Sequence, residues 1–556
     1  MTMLPHRRAQ APGARPEQLP VQDGWHLRRA AGSRVVKVLV AAAFGLAITG
    51  AARAQPNIVL IATDDQRHNT LHAMPTVRAE LVGKGVRFRN AFVVNPLCCP
   101  SRASILTGTY SHTNGVWANG GAFGGFQAFD DSATLPLWLD AVGYETMFVG
   151  KYLNGYTSTH ATPDYVPPGW DRWLAYWGRP RYFDYELTDG RTVTSYGASA
   201  REYSTDVMGA AASRLIRETE GPFFLYFSPF APHLADWPVD PYSVDPAPRH
   251  VDAFAGLGAL ERPSVNEPDV ADKPRHVRAR APIPPRSLAE LREEQLESLL
   301  AVDDAIAGIL AALEDTGKLA DTMIVFTSDN GHAWGEHRWT HKSDPYEESL
   351  RVPLVVRYDR LGVAPRTEGR FALNVDLAPT LADAAGIEVT GVEGRSLVGL
   401  LAGGPTAWRT RFLIEYFSPG DVPGYCGFRG RRWKYVQYAT GEEELYDLGR
   451  DPNELRNLRA EDSRWSLTME FRARVQQSQC RPPGFGRPLP LCTRSGTSGR
   501  DSMRGTERPD WLCAGRGNDR IDVSGGRQDV VRCGAGFDRV RAGRRDVVFG
   551  CEARIP

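Results

Sequence analysis

Asn95-Pro96-Leu97-Cys98-Cys99-Pro100-Ser101-Arg102-Ala103-Ser104-Ile105-Leu106-Thr107-Gly108 is the stretch around which the rest of the chain arranges itself. It sets a thiol two residues before a proline and four before an arginine. Ser101, Ser104 and Thr107 line the start of a helix that Gly108 closes. A thiol at a helix N-terminus has its thiolate favoured by the helix dipole, which makes a usable nucleophile. Two adjacent cysteines in a turn of an exported protein, one of them disulfide-bonded, would satisfy the same spacing. The flanking sequence has to decide between the two.

Upstream, Pro56-Asn57-Ile58-Val59-Leu60-Ile61-Ala62-Thr63 is continuously apolar and β-branched, a strand buried on both faces that ends at Asp64-Asp65. Downstream, Thr322-Met323-Ile324-Val325-Phe326-Thr327-Ser328 repeats the pattern and ends at Asp329-Asn330. Adjacent carboxylates past a buried strand repel each other unless a cation joins them. Open α/β sheets gather ligands beyond the carboxyl ends of their strands, so Asp64, Asp65, Asp329 and Asn330 can converge on one point. Four oxygen-bearing side chains predict a hard cation, Ca2+ or Mg2+.

Between these strands the pattern alternates. Leu135–Ala141 reads as helix and Glu145–Val149 as a strand that delivers Lys151. Asp206–Glu218 reads as helix, and Pro222–Phe227 as a strand that delivers His233. Apolar residues at 288, 291, 296, 299, 302, 306, 309, 310 and 313 trace one face of a long helix. Ser287 and Glu290 offer it a capping box. The alternation predicts an α/β fold, a large mixed or mostly parallel sheet with helices on both faces. Residues 243–285, rich in Pro and charge, read as a long surface loop. After Asp376 the character shifts to short antiparallel strands, Trp433–Tyr438 and Glu444–Leu448, followed by a terminal helix.

The chain has 556 residues and 42% hydrophobic composition, enough for a large core and two or three structural units. Lys+Arg and Asp+Glu balance at 66 each, so the total charge points to no nucleic-acid partner but leaves a local basic cleft open. Residues 1–33 are Arg-, Pro- and Gly-rich without periodicity. Val38–Ile48 is too short an apolar run to span a bilayer, and Ala52-Arg53-Ala54 follows it as a cleavage pattern. We read residues 1–54 as a leader with a signal peptide cleaved near Ala54, a secreted or extracytoplasmic location and no stable membrane insertion. Arg28-Arg29 is a poor match to a twin-arginine signal.

Cys98-x-Pro100-Ser101-Arg102 followed by Leu106-Thr107-Gly108 resembles the sulfatase signature. The resemblance runs from about 55 to 480. Gly150-Lys151-Tyr152-Leu153-Asn154 and Val166-Pro167-Pro168-Gly169-Trp170 look like the N-acetylglucosamine-6-sulfatase branch. It implies an alkaline-phosphatase-like fold, with a catalytic domain over 55–400 and a smaller antiparallel-sheet subdomain over 401–480. It also implies that a formylglycine-generating enzyme oxidises Cys98, with Cys99 at the variable position, to an aldehyde whose hydrate attacks sulfur. One Ca2+, with Mg2+ the lesser alternative, would be held by Asp64, Asp65, Asp329, Asn330 and the modified Cys98. By the same resemblance Arg102 holds the hydrate and nearby carboxylates, while Lys151 contacts sulfate or the nucleophile. Lys342 grips sulfate and can assist the leaving oxygen, and His233 can protonate the leaving alcohol. Leu153 departs from the His that many sulfatases carry there, so that role is lost or passes to Asn154. His332 and His337 are candidate substrate contacts. The substrate implied is a small-molecule or glycan sulfate ester such as N-acetylglucosamine 6-sulfate. The rivals are a formylglycine-dependent phosphodiesterase or phosphonate monoesterase, and a non-catalytic glycan-binding pseudosulfatase.

The tail over 495–556 is different. Asp501, Asp510, Asp519, Asp529, Asp538 and Asp546 recur every eight to ten residues, with Gly515–Asp519 and Gly534–Asp538 as the clearest units. This resembles a degenerate nonapeptide β-roll of the RTX type. Arginine fills many positions where Gly or acid is expected, so either Ca2+ or cysteine staples at Cys513, Cys533 and Cys551 can hold the turns. Cys480 and Cys492 close a short Pro/Gly-rich loop and are expected to pair; the remaining pairings stay open.

Overall fold

The computed structural model describes residues 55–556 except 158–160, 236–239, 241, 405–406, 484–493, 508–509, 526–528, 545, 550 and 556. Residues 1–54, where the sequence leads us to expect a leader and a cleavage pattern, lie outside the described residues. Among those described, no helix is long and apolar enough to cross a membrane.

Ten strands form the main sheet: β1 (Asn57–Thr63), β2 (Val86–Phe92), β3 (Glu145–Gly150), β4 (Arg172–Tyr176), β5 (Tyr185–Thr188), β6 (Val193–Tyr196), β7 (Phe223–Ser228), β8 (Thr322–Ser328), β9 (Leu354–Tyr358) and β10 (Arg366–Leu373). Their order is β10-β2-β9-β8-β1-β7-β3-β4-β5-β6. The central run β8-β1-β7-β3-β4 is parallel, and β9, β5 and β6 bring in antiparallel pairs. The sheet is mixed, as the alternation predicts.

Its apolar strands are two-sided. Val59 and Ile61 of β1 face one core with Leu225, Phe227, Ile324 and Phe326. Ile58, Leu60 and Ala62 face the other with Phe224, Tyr226, Met323 and Val325. Helices Ser204–Glu218 and Pro285–Asp315 cover the first face, and all nine apolar positions expected on the longer helix are buried. Helices Cys98–Thr107, Leu135–Asp140 and Leu377–Ala384 cover the second.

Three expectations need correction. The long helix starts at Pro285, so Ser287 lies inside its first turn, no side chain caps it, and Glu290 pairs with Arg286 instead. Proline needs no amide partner at a helix start, which is why it takes that place. Residues 243–285 are not simply a surface loop. Val270 and Val277 are buried, and the Lys273 ammonium bonds the carbonyls of Glu454 and Leu455 at 2.8 and 2.6 Å. Cys480 pairs with Cys426, 54 residues away in sequence, rather than with Cys492, which lies outside the described residues. Chain proximity favoured the short loop; packing of the terminal helix on the small sheet brings the distant thiol closer.

That small sheet comprises β11 (Arg411–Tyr416), β12 (Tyr425–Gly430), β13 (Trp433–Tyr438) and β14 (Glu443–Asp447), antiparallel in that order. Phe412, Ile414 and Tyr416 pack against Phe92, Val94 and Leu97, which docks it beside the helix that begins at Cys98. Past the terminal helix Trp465–Gln477, eight short strands stack as two parallel sheets. Leu512, Ala514, Val531 and Cys533 of one face Met503, Ile521, Val523 and Val540 of the other. The tail is a β-roll, with Cys533 bonded to Cys551.

Candidate active site

Helix Cys98–Thr107 is buried along its whole length and ends on Gly108 in the left-handed region (φ 68°). No side chain of its own segment caps its start; Asn119 Oδ1 reaches in and accepts the Cys99 amide at 2.9 Å. Cys98 therefore sits, fully buried, on the first turn of a helix aimed at the carboxyl ends of β1 and β8. Burial pushes its thiol up to about 12 against the pull of Lys151 and Lys342, and burial does the same to Cys99.

β1 delivers Asp64 and Asp65. Asp65 takes a left-handed backbone (φ 67°), which costs a non-glycine residue of order 1 kcal/mol and turns consecutive carboxylates toward one centre. Cys98 Sγ lies 3.5 Å from Asp64 Oδ1 and 3.9 Å from Asp65 Oδ1. β8 delivers Asp329, whose Oδ1 accepts the Asp65 amide at 3.1 Å, and Asn330, whose Nδ2 donates to Asp65 Oδ1 at 2.7 Å. Ligand atoms of Asp64, Asp65, Cys98 and His233 lie within 4.8 Å of one another.

Cations surround this centre. Arg102 donates through Nε to Asp329 Oδ2 at 2.8 Å and through Nη1 to the Lys151 carbonyl and Ser228 Oγ; its Nη2 lies 3.5 Å from Asp64. Lys151, at the end of β3, bonds Asp64. Lys342 Nζ spans Asp65 at 2.5 and 2.6 Å and Cys98 Sγ at 3.0 Å. Burial opposes ionisation of Asp64, but Lys151, His233 and Arg102 outweigh it and hold the group at about 2. Asp65 is held well below its ordinary value, burial being outweighed by Lys342 and the histidines. Asp329 goes the other way, raised to about 6 by burial and by the charge of Asp64. The two strand ends are thus electrostatically unequal.

His233 places Nε2 3.7 Å from Asp65 Oδ2 while Nδ1 is engaged by the Leu234 carbonyl at 2.8 Å. Burial and the Lys342 charge lower it to about 4, so it is neutral near pH 7. His332 is fully buried, with Nδ1 3.8 Å from Asp65. His337 is not at the centre: its turn has φ 52° and hands the ring to Glu267 at 2.7 Å, stacked on Tyr346. Leu153 is buried in the core beneath β3, whereas Asn154 lines the cavity above Lys151.

That cavity measures about 370 Å3 and opens over Lys151, His233 and Lys342. Its outer wall holds residues that sequence reasoning missed: Asn119, Arg179, Trp339, His341, Tyr416 at the end of β11, and Asp421 from the β11–β12 connection. All but Tyr416 come from loops in separate parts of the chain, and no local pattern marks a loop residue as pocket-facing.

The donor set suits a hard cation. Asp64, Asp65 and Asp329 offer carboxylate oxygens, and the buried amide oxygen of Asn330 has no hydrogen-bond partner. A buried acceptor left unmet costs about 1–3 kcal/mol, and a cation here would meet it.

Residues 56–387 match the family model for sulfatases. The chain belongs to the sulfatase family. This sulfatase also matches, over 335–481, the model for the C-terminal region of N-sulphoglucosamine sulphohydrolase. It is 33% identical to the N-acetylglucosamine-6-sulfatase of Capra hircus, covering 79% of this chain and 87% of the relative. It is 30% identical to the N-acetylglucosamine-6-O-sulfatase of Bacteroides thetaiotaomicron, covering 73% and 82%. Among solved structures, a protein in complex with its substrate D-glucosamine-2-N,6-O-disulfate superposes with a TM-score of 0.67 at 26% identity, covering 79% of this chain and all of that one. The phosphonate monoester hydrolase of Agrobacterium radiobacter shares the fold at 23% identity, with a TM-score of 0.61 over 76% and 95% of the two chains. This sulfatase is a sulfuric ester hydrolase.

Proposed function

We propose that this sulfatase removes sulfate from a hexosamine, in the manner of an N-acetylglucosamine-6-sulfatase, after export and after a formylglycine-generating enzyme has converted Cys98. The observation that carries the reading is Cys98 between the Lys342 ammonium at 3.0 Å and Asp64 at 3.5 Å, with Lys342 itself lining the cavity. Formylglycine at Cys98 would supply a hydrated aldehyde as nucleophile. One Ca2+ held by Asp64, Asp65, Asp329 and Asn330 would supply a Lewis acid for a sulfate oxygen.

The protein's own groups do the rest. Lys151 and Lys342 have their ammonium pKa values raised, burial being outweighed by Asp64 and Asp65, so both stay charged and neutralise the ester's negative charge. Lys342 keeps its proton throughout the neutral range, which makes it the better-supplied donor to the leaving oxygen. His233 takes on that work only once a bound anion raises it from about 4. Arg102 acts from behind, joining Asp329, Asp64 and Lys151 into one rigid floor. Asn154, rather than Leu153, is available to a sugar hydroxyl.

We divide the chain into a leader (1–54), catalytic domain (55–400), C-terminal subdomain (401–480) and roll (495–556). Desulfation of a panel of sulfated monosaccharides by mature enzyme tests the substrate, with N-acetylglucosamine 6-sulfate expected to have the highest kcat/KM. Matched aryl sulfate and aryl phosphate esters test the reaction. Faster phosphate than sulfate cleavage would overturn it in favour of the phosphodiesterase reading.

A further inference from the structure

The roll carries a charge arrangement that the whole-chain balance hides. Residues 495–556 hold twelve arginines and no lysine against nine carboxylates. Four of those acids, Asp510, Asp519, Asp529 and Asp538, are buried. They serve the fold: Asp529 Oδ1 accepts the Asp510 amide and Asp538 Oδ1 the Asp519 amide, each at 2.8 Å. These four acids turn inward, while Arg504, Arg516, Arg520, Arg539 and Arg541 are exposed.

The two sheets of the roll are not equivalent. Trp511, in the sheet of strands Trp511–Arg516 and Val530–Ala535, packs with Met469 and Trp465 of the terminal helix, so that sheet is turned toward the body. The other sheet contains Ser502–Arg504, Arg520–Val523, Arg539–Ala542 and Ala553–Ile555. Met503, Ile521 and Val540 point into the core. The alternate positions point out. Register sets Arg520 directly beside Arg539, and Arg504, Asp522 and Arg541 in one row. All four arginines are exposed. Neighbouring strands lie about 4.8 Å apart and alternate residues about 7 Å apart along a strand, so the four arginines root close together on one face. Like charges directly opposite each other destabilise a sheet, and Arg520 beside Arg539 is such a pair. The single acid in the rows, Asp522, accepts the Ser524 amide and hydroxyl at its Oδ1. Four arginines less one aspartate leave these rows at +3. At their edge Phe537 is 51% exposed, with the Arg539 guanidinium 5.8 Å above its ring, an apolar plane of the kind on which a sugar face stacks.

We propose that this outward face docks a sulfated polysaccharide, tethering the polymer to the chain that carries the catalytic cavity. Guanidinium forks match oxyanions bidentately, and several of them rooted on one face suit a polymer whose anions repeat. The choice of sulfate over phosphate as the anion rests on the sulfatase reading above.

The test uses the full chain with Arg504, Arg520, Arg539 and Arg541 all changed to Gln, and a companion with all four changed to Lys. Binding to heparin, to unsulfated hyaluronan, to duplex DNA and to phosphatidylserine vesicles is measured across salt concentrations. Wild type should bind heparin with a steep salt dependence and hyaluronan weakly. The Gln variant should lose about tenfold or more in heparin affinity at 0.1 M salt, and its log–log salt slope should fall by about 3, the counterion release of four charges. The Lys variant should keep most of that slope. Turnover of a small aryl sulfate should be the same in all three proteins. An unchanged slope in the Gln variant, no heparin binding by wild type, or equal or tighter binding to DNA or vesicles overturns the proposal. Absence of small-sulfate turnover in wild type would strike the catalytic reading alone, because polymer binding is read separately.

Discussion

Arg102→Gln should change how cation binding depends on pH, and the structure gives the size of the change. Arg102 Nε lies 2.8 Å from Asp329 Oδ2. Charge centres about 4 Å apart interact by about 4 kcal/mol at an effective dielectric near 20, which is about 3 pKa units. Asp329 already sits at about 6, raised by burial and by Asp64. Without the guanidinium it should move to about 9 in the cation-free protein, and a protonated carboxyl is a poor ligand. Removing a positive charge also favours a cation directly, so affinity at a single pH mixes two opposing effects. They separate by pH. The direct effect is pH-independent, whereas displacing the Asp329 proton makes affinity rise about tenfold per pH unit between roughly 7 and 9. Wild type should be nearly flat above pH 7. Calorimetric titration of purified, chelator-treated protein with Ca2+ across that range is the assay. A variant as flat as wild type would refute both the Asp329 assignment and the electrostatic reasoning behind it.

Cys98→Ser should abolish multiple turnover while Cys99→Ser keeps it within about tenfold, and peptide mass spectrometry should find aldehyde only at 98; an aldehyde at 99 would contradict the site. His112 bonds Glu415 at 2.7 Å and lies 3.2 Å from Glu393; burial is outweighed by these carboxylates, which raise it to about 10. Because the folded value lies above the unfolded 6.5, its contribution is fully present below pH 6.5 and lost as pH rises through 10. His112→Gln should therefore cost up to about 4 kcal/mol at pH 6 and little at pH 10.5, read by denaturant midpoints; an equal cost at both would refute the pairing. Cys426→Ala opens a loop of 54 residues, worth about 4 kcal/mol in chain entropy, so thermal half-life should shorten markedly, while Cys492→Ala should leave the Cys426–Cys480 bond intact by mass mapping.

Much of this was legible in order along the chain. Ile58–Thr63 and Thr322–Ser328 announce themselves because a strand buried on both faces has no polar position to spare. Their trailing acids announce themselves because charge next to such a strand needs a partner. The signature helix and the aspartate period of the tail are local patterns, and local patterns survive without a structure. The pairing of Cys480 with Cys426, the removal of His337 to Glu267, and the cavity wall supplied by Asn119, Arg179 and Asp421 were not legible. Each depends on which surfaces meet, and spacing along a chain does not encode distance across a core. The same holds for charge. The composition of the whole molecule sums to zero, and only the register of two parallel sheets shows that the roll buries acids and displays arginines, because side chains alternate between faces and one face is sealed by the core.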